Sequence, residues 1–219
     1  MQIATQLTTG AGGGSAGSRR PRALLLAAVA LALAGLVVLG LGLLGDADAP
    51  EAPDAAGEVA VEGDALAPFE GTGEDPAVGA SAPAVAGADP DAQAVRIAPG
   101  EAPTIVVFVA HWCEVCGEAL EAAQRLRDEG ALPEEVRVVA VSTGQRPAAA
   151  PDEDRWLAEG DWTLPTLIDN AEGHAAGSYG LGAYPYWVFL DAEGVVAGRL
   201  TGALDDDDLV QLATELVAR

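Results

Sequence analysis

Cys113 and Cys116 are the only cysteines among 219 residues, and they lie three apart in His111-Trp112-Cys113-Glu114-Val115-Cys116. The apolar run Ile105-Val106-Val107-Phe108-Val109-Ala110 leads into them and reads as a buried strand, while Gly117-Glu118-Ala119-Leu120 onward reads as a helix. The pair therefore sits at a helix N-terminus. Free backbone N–H groups and the positive end of the helix dipole there favour a thiolate over a thiol. Sulfurs at i and i+3 are also close enough to bond to each other. Two cysteines cannot form a disulfide framework, but they can form one local bond that is opened and closed repeatedly.

A second chemistry has to be weighed against this one. His111, Cys113, Cys116 and His174 together make a candidate zinc or copper ligand set. Structural zinc motifs usually hold their histidines three to five residues apart, whereas these stand 63 apart, so the dithiol reading is preferred. A redox-silent binding module is the third reading, and the retention of both cysteines speaks against it.

The elements around the pair form an α/β pattern. An edge strand is predicted at 94–98, a central strand at 104–110, and a helix from Cys113 to about Glu129 with Leu120, Ala123 and Leu126 inward and Gly130 ending it. A strand at 136–141, a helix at 152–159, a short strand at 164–168 and a short helix or turn at 175–179 follow. Strands at 186–190 and 195–200 flank the hairpin signal Asp191-Ala192-Glu193-Gly194, and Asp205–Asp208 open a last helix ending near Ala218. This order implies a mixed central sheet flanked by helices.

Upstream of that domain the composition changes three times. Residues 1–18 are rich in Gly, Thr, Ser and Ala, and are read as a disordered cytoplasmic terminus. After Arg19, Arg20 and Arg22, Ala23 to Gly45 is apolar throughout, long enough to cross a bilayer as a helix. Arginines before it and acids after it orient the remainder of the chain outside the cytoplasm. The stretch exceeds a signal-peptide core of roughly 7–15 residues, so an uncleaved anchor spanning 19–45 is the preferred reading over a cleaved leader. Residues 46–92 carry 12 acidic residues and no basic one, among many Pro, Ala and Gly, and are expected to form an extended linker. Leu66-Ala67-Pro68-Phe69 is the one hint of order within it. The folded domain is expected over 93–219.

The net charge of -23 repels nucleic acid and anionic headgroups, and all 11 basic residues are arginine, so no lysine is available as a base. The expected partners are protein disulfides and an upstream thiol electron donor, soluble or membrane-bound. No cofactor beyond the Cys113–Cys116 disulfide and no metal is expected.

The stretch from Val107 to Cys116, with Tyr179-Gly180-Leu181-Gly182-Ala183-Tyr184-Pro185-Tyr186 through Asp191-Ala192-Glu193-Gly194, resembles the thioredoxin fold. It is most similar to membrane-anchored, extracytoplasmic thioredoxin-like disulfide reductases of the TlpA type, and the likeness covers about residues 93–219. The resemblance implies a cis peptide before Pro185, beside the disulfide, with the Tyr184 backbone offered to an extended substrate and Trp112 bordering the site. It also implies protein disulfide reduction, with apocytochrome c among the clients.

In such a site the more exposed Cys113 is the nucleophile and the more buried Cys116 resolves the mixed disulfide. Glu114, between the sulfurs, disfavours the Cys113 thiolate and so favours a reducing couple. The sequence departs from the family pattern at three positions. Val107 stands where cytoplasmic thioredoxins carry a buried aspartate, Ala119 where TlpA-type proteins usually carry a glutamate, and Glu121 where many relatives carry a proline. Glu118 is the remaining candidate for supplying a proton to Cys116, against its reading as a surface acid.

Overall fold

The structure is a computed structural model that describes residues 58–219 apart from 101, 145–154, 158 and 161. The expected N-terminal tail, the apolar segment 23–45 and the start of the helix at 152 lie outside the described residues. Among the described residues no helix is long and apolar enough to cross a membrane.

The central sheet is built on β4 (Thr104–Val109), every residue of which is buried. It pairs in parallel with β5 (Arg137–Ser142) and antiparallel with β7 (Tyr186–Leu190); β6 (Thr166–Ile168) and β8 (Val196–Thr201) complete the order β6-β5-β4-β7-β8. Alternate side chains of one strand enter two different cores. Val106 and Phe108 pack on one face of the sheet, while Ile105, Val107 and Val109 pack on the other. Burial on both faces explains why the strand sequences are unbroken apolar runs rather than alternating ones.

The second core is closed by α1 (Glu114–Asp128) and α3 (Asp206–Val217). Leu120, Ala123 and Leu126 of α1 are buried, as their spacing predicts. Gly130, at φ +69°, ends this helix in the left-handed region. The short helix α2 (His174–Ser178) follows β6. At the β7–β8 hairpin, the Asp191 carboxylate accepts the N–H groups of Glu193 and Val195, so the predicted turn signal has a direct structural role.

The linker expectation fails over residues 58–92. These fold into β1 (Ala60–Glu62) and β2 (Ala84–Ala88), which join β3 (Ala94–Ile97) in an antiparallel sheet ordered β1-β2-β3. Leu66, Ala77, Ala82 and Val85 enter the first core beside Phe108 and Tyr186. The folded unit thus begins by residue 58, not 93. The misreading came from averaging charge over 46–92: Glu58, Glu62, Asp64, Glu70, Glu74 and Asp91 are all exposed while the small apolar residues between them turn inward. Glycines taken as a sign of an open chain instead form turns; Gly63, Gly71, Gly73 and Gly79 all have positive φ.

Candidate active site

Cys113 is the N-cap of α1, with extended backbone angles and no side-chain capping bond, so the first-turn N–H groups open beside its sulfur. Its own N–H donates to the Ala110 carbonyl at 2.9 Å, and the Cys116 N–H donates to the Cys113 carbonyl at 3.0 Å. The two cysteines are joined as a disulfide with Cα atoms 5.3 Å apart. Cys116 is fully buried in the second core, whereas Cys113 is half-buried at its edge. A partner can therefore approach only the Cys113 sulfur.

Two loops border the disulfide. The Trp112 indole N–H donates to the Gly144 carbonyl at 3.0 Å, and its ring meets Tyr184 edge-on at 5.3 Å between centroids. Trp112 remains 41 % exposed and the neighbouring Val115 43 %, giving an apolar rim beside Cys113. The Tyr184–Pro185 peptide is cis, and Pro185 leads directly into β7, the neighbour of β4, the strand that runs into the cysteine loop. Sequence reasoning missed Gly144. Its φ is +68°, and a Cβ there would lie 2.6 Å from the Tyr184 hydroxyl. A glycine closing Ser142-Thr143-Gly144 after a predicted strand was the available signal.

The acids are placed unevenly. Glu114 and Glu118 are exposed, and Glu118 therefore faces solvent rather than the core that holds Cys116. Ala119 and Val107 are themselves buried in that core. The buried acid Asp169 has a structural role. It accepts from Thr143 Oγ1 and from the N–H groups of Ala175 and Ala176, tying the start of α2 to the end of β5. His111 has both ring nitrogens buried without a hydrogen-bond partner. His174 instead lies on the surface, where Asn170 Nδ2 donates to its Nδ1. The metal reading gains no support from this geometry: the sulfurs are bonded to each other, and among the described residues no group of three or more His, Cys, Asp or Glu could hold an ion.

Farther from the sulfurs, Arg199 is fully enclosed. It donates through Nε and Nη2 to the two Asp75 carboxylate oxygens, and through Nη1 to the carbonyls of Ala67 and Tyr179. Burial works against its charge, but the Asp75 hydrogen bond and charge, together with the interactions with Tyr186, outweigh it and the pKa rises. The same bond holds the Asp75 carboxyl below the usual carboxylate range. Burial pushes the Tyr186 phenol up to about 12, so it stays protonated and donates to the Tyr179 carbonyl at 2.9 Å.

The AhpC/TSA family profile matches residues 78–199, more than half of the chain. The chain belongs to the AhpC/TSA family. The matched span begins inside the segment expected to be linker and contains every residue of the disulfide site. No curated protein matches the chain.

Three solved structures share the fold of this AhpC/TSA domain. The exposed lipoprotein thioredoxin of Streptococcus pneumoniae is 24 % identical with a TM-score of 0.52, over 59 % of this chain and 96 % of that one. A thioredoxin-family thiol:disulfide interchange protein of Chlorobium tepidum is 20 % identical with a TM-score of 0.52, over 62 % and 94 %. DsbF of MTB, determined in mixed oxidised and reduced forms, is 20 % identical with a TM-score of 0.51, over 60 % and 94 %. At these identities the likeness establishes a thioredoxin-like α/β fold with a mixed sheet.

Proposed function

We propose that the chain is a thiol–disulfide oxidoreductase that reduces disulfides of proteins outside the cytoplasm, in the manner of TlpA-type reductases. The observation that carries this reading is the pairing of a half-buried Cys113 with a fully buried Cys116 in one local disulfide. In the reduced protein the Cys113 thiolate attacks a client disulfide, releases one client thiolate and leaves a mixed disulfide. Cys116 then attacks the Cys113 sulfur, which frees the second client thiolate and closes the bond described above. The client gains two electrons, and an upstream thiol donor must restore the Cys113–Cys116 dithiol.

Glu114 favours this direction because a negative charge beside Cys113 opposes the helix dipole and weakens the thiolate that stabilises the reduced form. Trp112, Val115 and Tyr184 supply the apolar border that a client segment covers. The apolar segment 23–45 anchors the chain in a membrane, with the domain on the extracytoplasmic side; the arginines before it and acids after it support that orientation. Apocytochrome c, whose haem-binding cysteines must be reduced before attachment, is the proposed client class.

The reading is tested by dithiothreitol-driven reduction of insulin by the whole chain and by its Cys113→Ser variant. Turnover above the uncatalysed rate that disappears in the variant is the expected result. Equal rates with and without the chain would reject the activity.

A further inference from the structure

The loop that brings Tyr184 and Pro185 to the disulfide is gripped from behind by residues 66–69. The Leu66 N–H donates to the Ser178 carbonyl and the Phe69 N–H to the Gly180 carbonyl, each at 2.8 Å. The approach is close enough to exclude side chains: a Cβ on Gly180 would lie 2.4 Å from the Ala67 carbonyl oxygen, and one on Gly182 2.4 Å from that of Phe69. The Phe69 ring then reaches past the loop to Tyr186, the residue after Pro185, at 5.6 Å between centroids. Arg199 lies over that ring at 5.3 Å and joins Ala67 to Tyr179, the residue before Gly180. Phe69 therefore touches both the entry and the exit of the substrate-facing loop.

We propose that Phe69 is a positioning residue, which sets where Tyr184 and Pro185 stand relative to Cys113 and so governs the binding of protein clients. The inference rests on the oxidoreductase reading above. Phe69 packs in the first core, whereas both cysteines belong to the second, on the opposite face of the sheet. Loosening the loop should therefore weaken the capture of an extended polypeptide while leaving the sulfur couple itself unchanged. A small disulfide that needs only the Cys113 sulfur should not register the change.

The test compares the whole chain with Phe69→Ala, Phe69→Leu and Gly182→Ala, using insulin and oxidised glutathione as substrates. Gly182→Ala displaces the loop by setting a Cβ against the Phe69 carbonyl without removing the aromatic ring, so the test stands even if Phe69→Ala does not fold. Phe69→Ala and Gly182→Ala are expected to raise KM for insulin about tenfold, with kcat changed less than about twofold. Phe69→Leu should recover most of the loss, and glutathione turnover and the reduction potential should match the parent in all three. An unchanged KM for insulin in the folded variants would overturn the positioning role, as would parallel losses on both substrates. Absence of turnover in the unaltered chain would overturn the oxidoreductase reading as well.

Discussion

Trp112 meets Tyr184 edge-on with ring centroids 5.3 Å apart, and this contact joins the cysteine loop to the loop that carries Pro185. The Gly144 carbonyl fixes the indole from below, and Gly144 itself has no room for a side chain beside Tyr184. Gly144→Ala is therefore expected to destabilise the fold by about 1–2 kcal/mol, because an L-residue must enter the left-handed region. It should also lower insulin turnover by forcing Tyr184 away from Trp112. Urea unfolding and turnover measured on the same variant check both effects, and unchanged values for both would refute the account of this rim.

The two sulfurs should differ in what their loss traps. Cys116→Ser leaves the accessible Cys113 able to attack but removes the resolving thiol, so mixed disulfides with clients should accumulate on non-reducing gels. Cys113→Ser should trap none, since the Cys116 sulfur is fully buried. Equal trapping by both variants would contradict the assigned order of attack.

The sign of the Glu114 effect can be measured directly. Glu114→His replaces an acid in the first helical turn with a group that stabilises the Cys113 thiolate, and so the reduced form. The reduction potential should rise by about 10–40 mV, the span set by helix-terminal charge effects and the two-electron conversion. A fall in potential would reverse the assigned direction.

The strand–helix–hairpin order and the disulfide site were legible from the sequence because local rules govern them. Buried strands show as apolar runs, Gly130 ends α1, and Asp191 holds a turn within its own neighbourhood. Residues 58–92 were not legible, because their order depends on partners distant in the chain. Asp75 reads as one more spacer acid until Arg199, 124 residues later, encloses its carboxylate. Leu66-Ala67-Pro68-Phe69 reads as one short hint of order, and what Phe69 packs on appears only when Tyr186 and Arg199 are brought to its ring. Glu118 shows the complementary limit, since its spacing suggested a proton donor and its exposure places it in solvent.

A fragment beginning at residue 93 should consequently fail to fold. It lacks Leu66, Ala77, Ala82 and Val85, all buried in the first core, together with the β1–β2 pairing. A fragment covering 58–219 should unfold in a single cooperative transition by circular dichroism. A cooperative transition from the shorter fragment would show the N-terminal strands to be dispensable.

The Asp75–Arg199 pair should give stability a distinct acid limit. Its hydrogen bond lowers the folded pKa of Asp75 beneath the unfolded value of about 3.9, so its contribution is complete above that value. The contribution is lost as pH falls through the lower folded pKa. Asp75→Asn leaves the enclosed Arg199 charge unpaired and should cost about 3–5 kcal/mol at neutral pH. Its denaturant midpoint should also lose this acid-dependent component, which chemical unfolding across the acid range would reveal.

Equilibrating the whole chain with glutathione redox buffers and reading the fraction of Cys113–Cys116 disulfide tests the central claim most directly. The account predicts a reversible two-electron couple near the thioredoxin end of the range, at about −270 mV. A couple near about −120 mV, the region of strong oxidants of this chemistry, would contradict reduction as its function.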